Sequence, residues 1–409
     1  MHFTINAYYT LIAAIIVLLI GKYLVNNIAL LRKYNIPEPV AGGLVAAFIS
    51  TLVYYLWGYS ITTSIELQTT FMLIFFISIG LSANFYKLKE GGKSLLLFLF
   101  LAAFFIIIQN IVGISLANLL GIDPLIGLIA GSMSLTGGHG TAGAWGSILE
   151  AEYGIEGAMP LGMASATFGL IMGGLIGGPM AKILINKYDL ACANSEHETE
   201  EEKKLPAIEE FVPFGYPKDI RLITTNSAIT TLGLFAACLA FADFMSEITQ
   251  GSFIELPTFV WALAGGVIVR NVLENFLKVS MFDRAIGVFG NVSLSLYLAM
   301  ALLSLKLWEL SSLAGPLVII LVLQVIALLA YASFITFKVM GKNYDAAILT
   351  AGHCGFGLGA TPTAVANMQA ITNMYGHSYK AFLIVPLCGA FFIDLINATV
   401  IQIILKFLG

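Results

Sequence analysis

The sequence predicts an all-α polytopic membrane protein made of two inverted-topology repeats, each of five transmembrane helices plus one re-entrant hairpin. Three observations carry this: the composition, the placement of basic residues, and an internal match between the two halves. Of 409 residues, 58% are hydrophobic and 11% charged. Soluble domains are about half apolar and about a quarter charged. Apolar runs near the ~20 residues that cross ~30 Å of hydrocarbon recur from end to end.

Hydrophobic windows place spans near 7–25, 38–57, 69–86, 95–120 and 158–185, then near 222–246, 257–273, 287–305, 313–338 and 380–405. The first run, Ala7 to Val25, lacks a basic flank and a small-residue cleavage site, so it reads as a retained span rather than a signal peptide. Between the fifth and sixth spans, 186–221 contains HETEEEKK and reads as a cytoplasmic connecting loop. The chain thus divides into an N-terminal repeat, 1–185, the loop, and a C-terminal repeat, 222–409.

Two segments, 124–148 and 345–372, are rich in Gly, Ser, Thr and His, and each is either one polar span or a re-entrant hairpin. Charge decides, because short cytoplasmic loops collect Lys and Arg. With both segments re-entrant and the N-terminus outside, every basic residue except Lys306 and Lys406 falls on the cytoplasmic side. Reading both as full spans scatters the basic residues over both faces. The re-entrant arrangement puts both termini on the periplasmic side.

The halves match at an offset of about 220–223 residues. AGG at Ala41–Gly43 recurs at Ala264–Gly266, and the segment Ser82–Leu88 aligns with Ser304–Leu310. LIAGSM at Leu128–Met133 faces LTAGHC at Leu349–Cys354, and LIGGPMAKILI from Leu175 parallels LINATVIQIIL from Leu395. Five crossings is an odd number, so the second half starts on the opposite face. Secondary transporters are commonly built this way, with the binding site near the midplane where broken helices meet.

GHGTAG, Gly138–Gly143, fits the G-x-G-x-x-G pattern of dinucleotide turns, but no strand precedes it and its setting is apolar. Small residues such as those of Gly173–Gly178 are explained by close helix packing. GSMSLTGGHGT, Gly131–Thr141, has more hydroxyls than packing requires. Irregular backbone at membrane depth is tolerated where protein buries it or where it lines a cavity. Gly355–Thr363, GFGLGATPT, reads alike, with Pro362 starting or stopping a helix.

Two such tips meeting from opposite sides present helix N-termini, which suit an anion. Neither hairpin holds a Lys or Arg. A carboxylate would therefore rest on backbone N–H groups and hydroxyls. The candidate substrate residues are Ser132, Ser134, Thr136, Gly137, Gly138, His139, Gly140 and Thr141 in the first tip, with Gly359, Thr361, Pro362, Thr363 and Asn367 in the second. Arg270 or Arg284 reaching in from elsewhere is the alternative.

Asp394 is a charge placed inside a span, a functional hypothesis by default. With Asn397 one turn on, it suits a cation such as Na+ or a substrate ammonium; a hydrogen-bonded packing role is the bland reading. His139 and His353 read as ligands or as structural residues equally well, and Gln109 and Asn110 as cavity lining or as helix bridges. Asp123 and Asp345 open their hairpins and read as caps. Cys192, Cys238, Cys354 and Cys388 are scattered, so neither disulfides nor a zinc site is expected. No nucleophile–base pair or H-E-x-x-H supports an enzyme, and a channel would need a continuous polar pore.

The motifs IPEPVAGG (Ile36–Gly43), LTGGHGTAGAW (Leu135–Trp145), VFGNVSLSLYLAMAL (Val288–Leu302), MGKNYDAA (Met340–Ala347) and AGHCGFGLGATPTAVANMQAIT (Ala351–Thr372) resemble those of the bacterial sodium/glutamate symporter family, over almost the whole chain. The resemblance implies Na+-driven uptake of L-glutamate at the bacterial inner membrane by a homodimer. It implies no organic cofactor and no nucleic-acid partner, with Na+ as the coupling ion. An elevator-type motion is the mechanism expected: spans four, five, nine and ten with both hairpins slide against the other spans. Within the transporter class, proton coupling or another dicarboxylate is the alternative.

Overall fold

The computed structural model describes residues 2–33, 36–83, 85–190, 223–251, 256–279, 281–303 and 313–408. Most of the 186–221 loop, Cys192 and the Ser304–Leu310 side of the internal match therefore lie outside the described residues. Eight described helices are long and apolar enough to cross a membrane. They are α1 (Ala7–Asn27), α3 (Glu38–Trp57), α4 (Ile65–Ser82), α5 (Phe85–Leu119, of which Gly92–Leu119 is the apolar part), α8 (Ala158–Tyr188), α9 (Thr225–Thr249), α11 (Asp283–Leu303) and a helix from Ala314 to Val339. The last comprises α12 (Ala314–Tyr331), a π-helical stretch Ala332–Thr336, and α13 (Phe337–Val339). Short α2 (Ala29–Lys33) links the first two spans.

The first hairpin segment forms α6 (Pro124–Leu128), a π-helical stretch Ile129–Met133 and α7 (Gly138–Glu152). The second forms α14 (Tyr344–Leu358) and α15 (Thr361–Tyr375). Two expected spans are not single membrane-length helices. One is α10 (Thr258–Asn271), continued by π-helical Val272–Phe276. The other is divided into α16 (Tyr379–Leu387), π-helical Cys388–Phe392, and α17 (Ile393–Leu408). Pro386 inside α16 has no N–H to close its turn, and the chain widens just after it.

Local chemistry sets the starts. Asn6 accepts from the Tyr9 N–H to cap α1, and Thr224 and Ser227 close a capping box on α9. Ser64 caps α4, so that helix begins before the expected residue 69, at Ile65, and keeps Glu66 in its first turn. Asp123 caps α6 as expected, accepting from the Leu125 N–H at 2.8 Å. Asp345 does not cap α14. Asn343 does, and Asp345 instead accepts from the Ser378 hydroxyl at 2.7 Å. One departure from an all-helical chain is a three-residue parallel pair, β1 (His2–Thr4) on β2 (Ser60–Thr62).

The helices sort into two packed groups. In one, α3 packs on α1 and α11, α10 on α4 and α9, and α4 on α11. In the other, α8 packs on α7, α14 and α15, α5 on α6 and α12, and α16 and α17 close against α5. Glycines allow these close crossings. A Cβ on Gly42 would stand 2.0 Å from the Val17 carbonyl oxygen of α1, and one on Gly80 2.2 Å from that of Leu263 in α10. Between the groups the contact is apolar. Met163 and Leu170 of α8 cluster with Val40, Leu298 and Leu302, and the Trp145 and Phe259 rings meet edge-on at 5.2 Å.

Gly80→Val is expected to force α4 and α10 apart and to cost about 1–3 kcal/mol through overpacking. Gly178→Ala, where a Cβ would meet nothing within 4 Å, is expected to melt like the wild type. Thermal unfolding of the two purified variants checks this; equal melting temperatures would contradict the packing described.

Candidate functional site

Helix breaks create the site. The arm that starts at α6 leaves helical geometry at Gly131 (φ −96, ψ −137), and its chain turns through residues 134–137 before α7 begins. Gly138, the first residue of α7, has φ +66, a left-handed conformation that favours glycine. In the second hairpin, α14 ends at Leu358 and α15 starts at Thr361 with Pro362 in its first turn. Neither α7 nor α15 has a side-chain cap. The first N–H groups of a helix have no intrahelical acceptor. His139 and Gly140 in one tip and Thr361 and Thr363 in the other thus carry donors that α-helix formation leaves over; Pro362 has none to offer.

The tips meet. A Cβ on Gly138 would lie 3.4 Å from the Gly359 carbonyl oxygen. The Thr136 hydroxyl lies 3.3 Å from the Gly357 carbonyl oxygen and 2.6 Å from Gln109 Oε1, and Gln109 Nε2 donates to the same Gly357 carbonyl at 2.7 Å. Gln324 of α12 donates to the Gln109 main-chain carbonyl at 2.7 Å. Ser132, beside the break, is held from both sides. Asn110 Oδ1 accepts from its N–H at 3.0 Å, and Asn397 Nδ2 donates to its carbonyl at 3.0 Å.

Each asparagine uses one amide atom on Ser132 and leaves the other buried and unpaired, Asn110 Nδ2 and Asn397 Oδ1. The hydroxyls of Ser132, Ser134 and Thr363 are likewise buried without a partner in the chain. Buried polar atoms are nearly always hydrogen-bonded, so this concentration around the tips equips the region for a polar ligand. It combines a donor, an acceptor and hydroxyls that serve as either.

The remaining candidates divide. Thr361 donates to the Gly389 carbonyl at 2.9 Å, bringing the second tip onto the π-helical stretch that leads to Asp394. Asp394 lies one turn before Asn397 on α17 and is partly buried. His139 Nε2 is 3.0 Å from Thr167 Oγ1, whose hydroxyl donates to the Met163 carbonyl at 2.9 Å. Thr167 therefore accepts from an Nε2–H, which fixes the tautomer. Gly140 packs under Phe75 of α4, and Thr141 lies beneath Gly137.

Asn367 turns onto α8, donating to the Gly173 carbonyl at 2.8 Å, and Pro362 is exposed. The Gly173–Gly178 stretch is a packing surface for the second hairpin, since a Cβ on Gly177 would fall 2.2 Å from Asn367 Nδ2. His353 bonds to Thr336 at 2.9 Å among the rings of Phe98, Phe105, Tyr331 and Phe356 and serves structure. Arg270 does not reach the tips; it is paired with Glu274 at 3.0 Å and with Asp283.

Thr167, Gln324 and the carbonyls of Gly357 and Gly389 were not among the expected site residues. A lone polar residue in an apolar span, as in LVLQVIALL, is the signal that finds Gln324. The backbone carbonyls leave no such trace.

A multi-pass helical protein whose buried polar centre is assembled from broken helices has the architecture of a secondary transporter. The family profile for "Sodium/glutamate symporter" matches residues 3–377. A sodium/glutamate symporter from Haemophilus influenzae is 49% identical over 403 residues, covering 98% of this chain and 98% of its own. One from Escherichia coli is 47% identical with the same coverage of both chains. The chain belongs to the sodium/glutamate symporter family, and it is a transporter rather than an enzyme. A solved sodium/proton antiporter from Methanocaldococcus jannaschii aligns over 98% of this chain at 11% identity, with a TM-score of 0.27.

Thr136→Val is expected to leave Gln109 Oε1 buried without its donor, at a cost of about 1–3 kcal/mol. Thr136→Ser keeps the hydroxyl and is expected to melt near the wild type. If Thr136→Val melts no lower than Thr136→Ser, the hydrogen bond between the tip and α5 is not formed.

Proposed function

We propose that this protein takes up L-glutamate with Na+ as the coupling ion, moving both through a site carried between the two hairpin tips. The meeting of the tips at Gly138 and Gly359, joined through Thr136 and Gly357, supports this reading most directly. In it, the uncapped N-termini of α7 and α15 and the unpaired hydroxyls of Ser132, Ser134 and Thr363 hold the carboxylates. A helix N-terminus favours negative charge without a side-chain cation. Asp394 and the free Asn397 Oδ1 take Na+ or the ammonium, both of which oxygen ligands suit. Thr136, Gly137, Gly138, His139, Gly140 and Thr141 shape the first tip, and Gly359, Thr361, Pro362 and Asn367 the second.

The halves 1–185 and 222–409 act as inverted repeats, with segments 124–148 and 345–372 entering from opposite faces as re-entrant hairpins. The glycines of the repeated AGG support this. Gly42 fits against α1 and Gly43 against Leu302 of α11, while Gly265 fits against Phe241 of α9 and Gly266 against Ile77 of α4. Each contact thus has its counterpart in the other half, with first and sixth, and third and eighth, spans exchanged. The protein sits in the inner membrane as a homodimer with both termini on the periplasmic side.

The two packed groups support alternating access. The group containing α5, α8, α12, α16, α17 and both hairpins slides as a body against the group of α1, α3, α4, α9, α10 and α11. Their mutual surface supports sliding, because Met163, Leu170, Val40 and Leu302 offer dispersion contacts without directional bonds. Ion binding favours the conformation competent for substrate, which couples the two fluxes.

Asp394→Ala is expected to abolish concentrative glutamate uptake in reconstituted vesicles; full sodium-dependent uptake by that variant would remove Asp394 from the site. A cysteine pair at Trp145→Cys and Phe259→Cys, bridged across the two groups by a bifunctional methanethiosulfonate, is expected to stop transport, with reduction restoring it. Undiminished transport by the crosslinked protein would end the sliding mechanism.

A further inference from the structure

Gln109 occupies a place that the transport reading does not use. Its side chain is fully buried in α5, and both ends of its amide are engaged by different hairpins. Nε2 donates to Gly357 of the second hairpin at 2.7 Å, and Oε1 accepts from Thr136 of the first at 2.6 Å. The amide cannot be turned over, because a carbonyl acceptor at Gly357 demands the N–H end. Gln324 secures the position by bonding to the Gln109 main-chain carbonyl at 2.7 Å, and Gly113 leaves room for it, since a Cβ there would stand 3.2 Å from Gln324 Nε2. One planar group thus joins two segments that lie more than two hundred residues apart in the chain.

A substrate held by two hairpins from different halves of the chain meets donors whose spacing depends on the register between the tips. Binding to groups already in place costs less than binding that must first order them. An amide bonded to both tips fixes that register, and its loss leaves the tips only the longer Thr136 to Gly357 contact at 3.3 Å.

We propose that Gln109 is a positioning residue that locks the two hairpin tips in one register, so that they present a single pre-formed substrate site and loosen together rather than one at a time. It acts through Thr136 and Gly357 and does not itself touch the ligand. This rests on the two-hairpin substrate site proposed above.

The test uses the full-length protein in proteoliposomes. Gln109→Leu, which loses both bonds, is expected to raise the KM for glutamate about tenfold, with Vmax per folded transporter within about twofold of the wild type. Gln109→Glu is expected to restore the KM. In its protonated form the acid offers one O–H donor and one acceptor oxygen in place of the amide. Hydrogen exchange of Gln109→Leu, measured without substrate, is expected to quicken at residues 134–140 and 355–361 alike.

An unchanged KM, exchange that rises in one hairpin alone, or a Gln109→Glu variant as impaired as Gln109→Leu would each overturn the proposal. If Gln109→Leu does not accumulate in the membrane, Gln324→Met carries the test: a raised KM with quicker exchange at both tips supports the lock, and wild-type values refute it. Exchange reports on the lock whether or not glutamate is carried, while wild-type uptake reports on the transport reading. The two failures are therefore distinguishable.

Discussion

Backbone polar groups within a membrane must find partners in the protein, because hydrocarbon offers none. This chain breaks its helices at Gly131, between residues 134 and 137, and again between Leu358 and Thr361. It meets that constraint with side-chain amides. Asn110 and Asn397 serve the N–H and carbonyl of Ser132, and Gln109 serves the carbonyl of Gly357. Replacing these amides by apolar residues would leave the broken backbone exposed to a medium that cannot solvate it. The amides make the breaks, and with them the candidate site, tolerable at membrane depth.

The same amides define what holds together. The long-range bonds of Gln109, Gln324, Asn367 and Asn397 all lie within the group that contains the hairpins. Glycine-made contacts bring the other group's helices close through backbone, as at Gly42 on α1 and Gly80 on α10. What lies between is greasier, with Trp145 on Phe259, Phe75 on Gly140, and Met163 near Tyr297. Directional bonds in one group, close glycine contacts in the other and apolar contact between them are what a body sliding past a scaffold would need. Membership of the sodium/glutamate symporter family states the cargo class for which that motion is proposed.

Much of the fold was legible because lipid imposes one rule on every span. Hydropathy marked ten apolar segments, of which eight are membrane-length helices among the described residues. It did not reveal that α10 ends in a π-helical turn and that one divides α16 from α17, since a bulge changes hydrogen bonding and not composition. Helix starts moved where a capping serine lay ahead of the apolar run, as at Ser64. Asp345 was a reasonable cap by position, but Asn343 stands two residues earlier and took that role. At the site, hydroxyls and glycines among leucines were conspicuous, and the structure brings both tips together. The supporting layer was less legible: Thr167, Gln324 and the carbonyls of Gly357 and Gly389 act through positions that only the folded chain brings near.

Uptake of labelled L-glutamate into proteoliposomes, with Na+ and proton gradients imposed separately, tests the central claim most directly. The account predicts accumulation driven by an inward Na+ gradient alone, saturable, and displaced by unlabelled glutamate in preference to citrate. Accumulation that follows the proton gradient without Na+, or flux that fails to saturate, would contradict it.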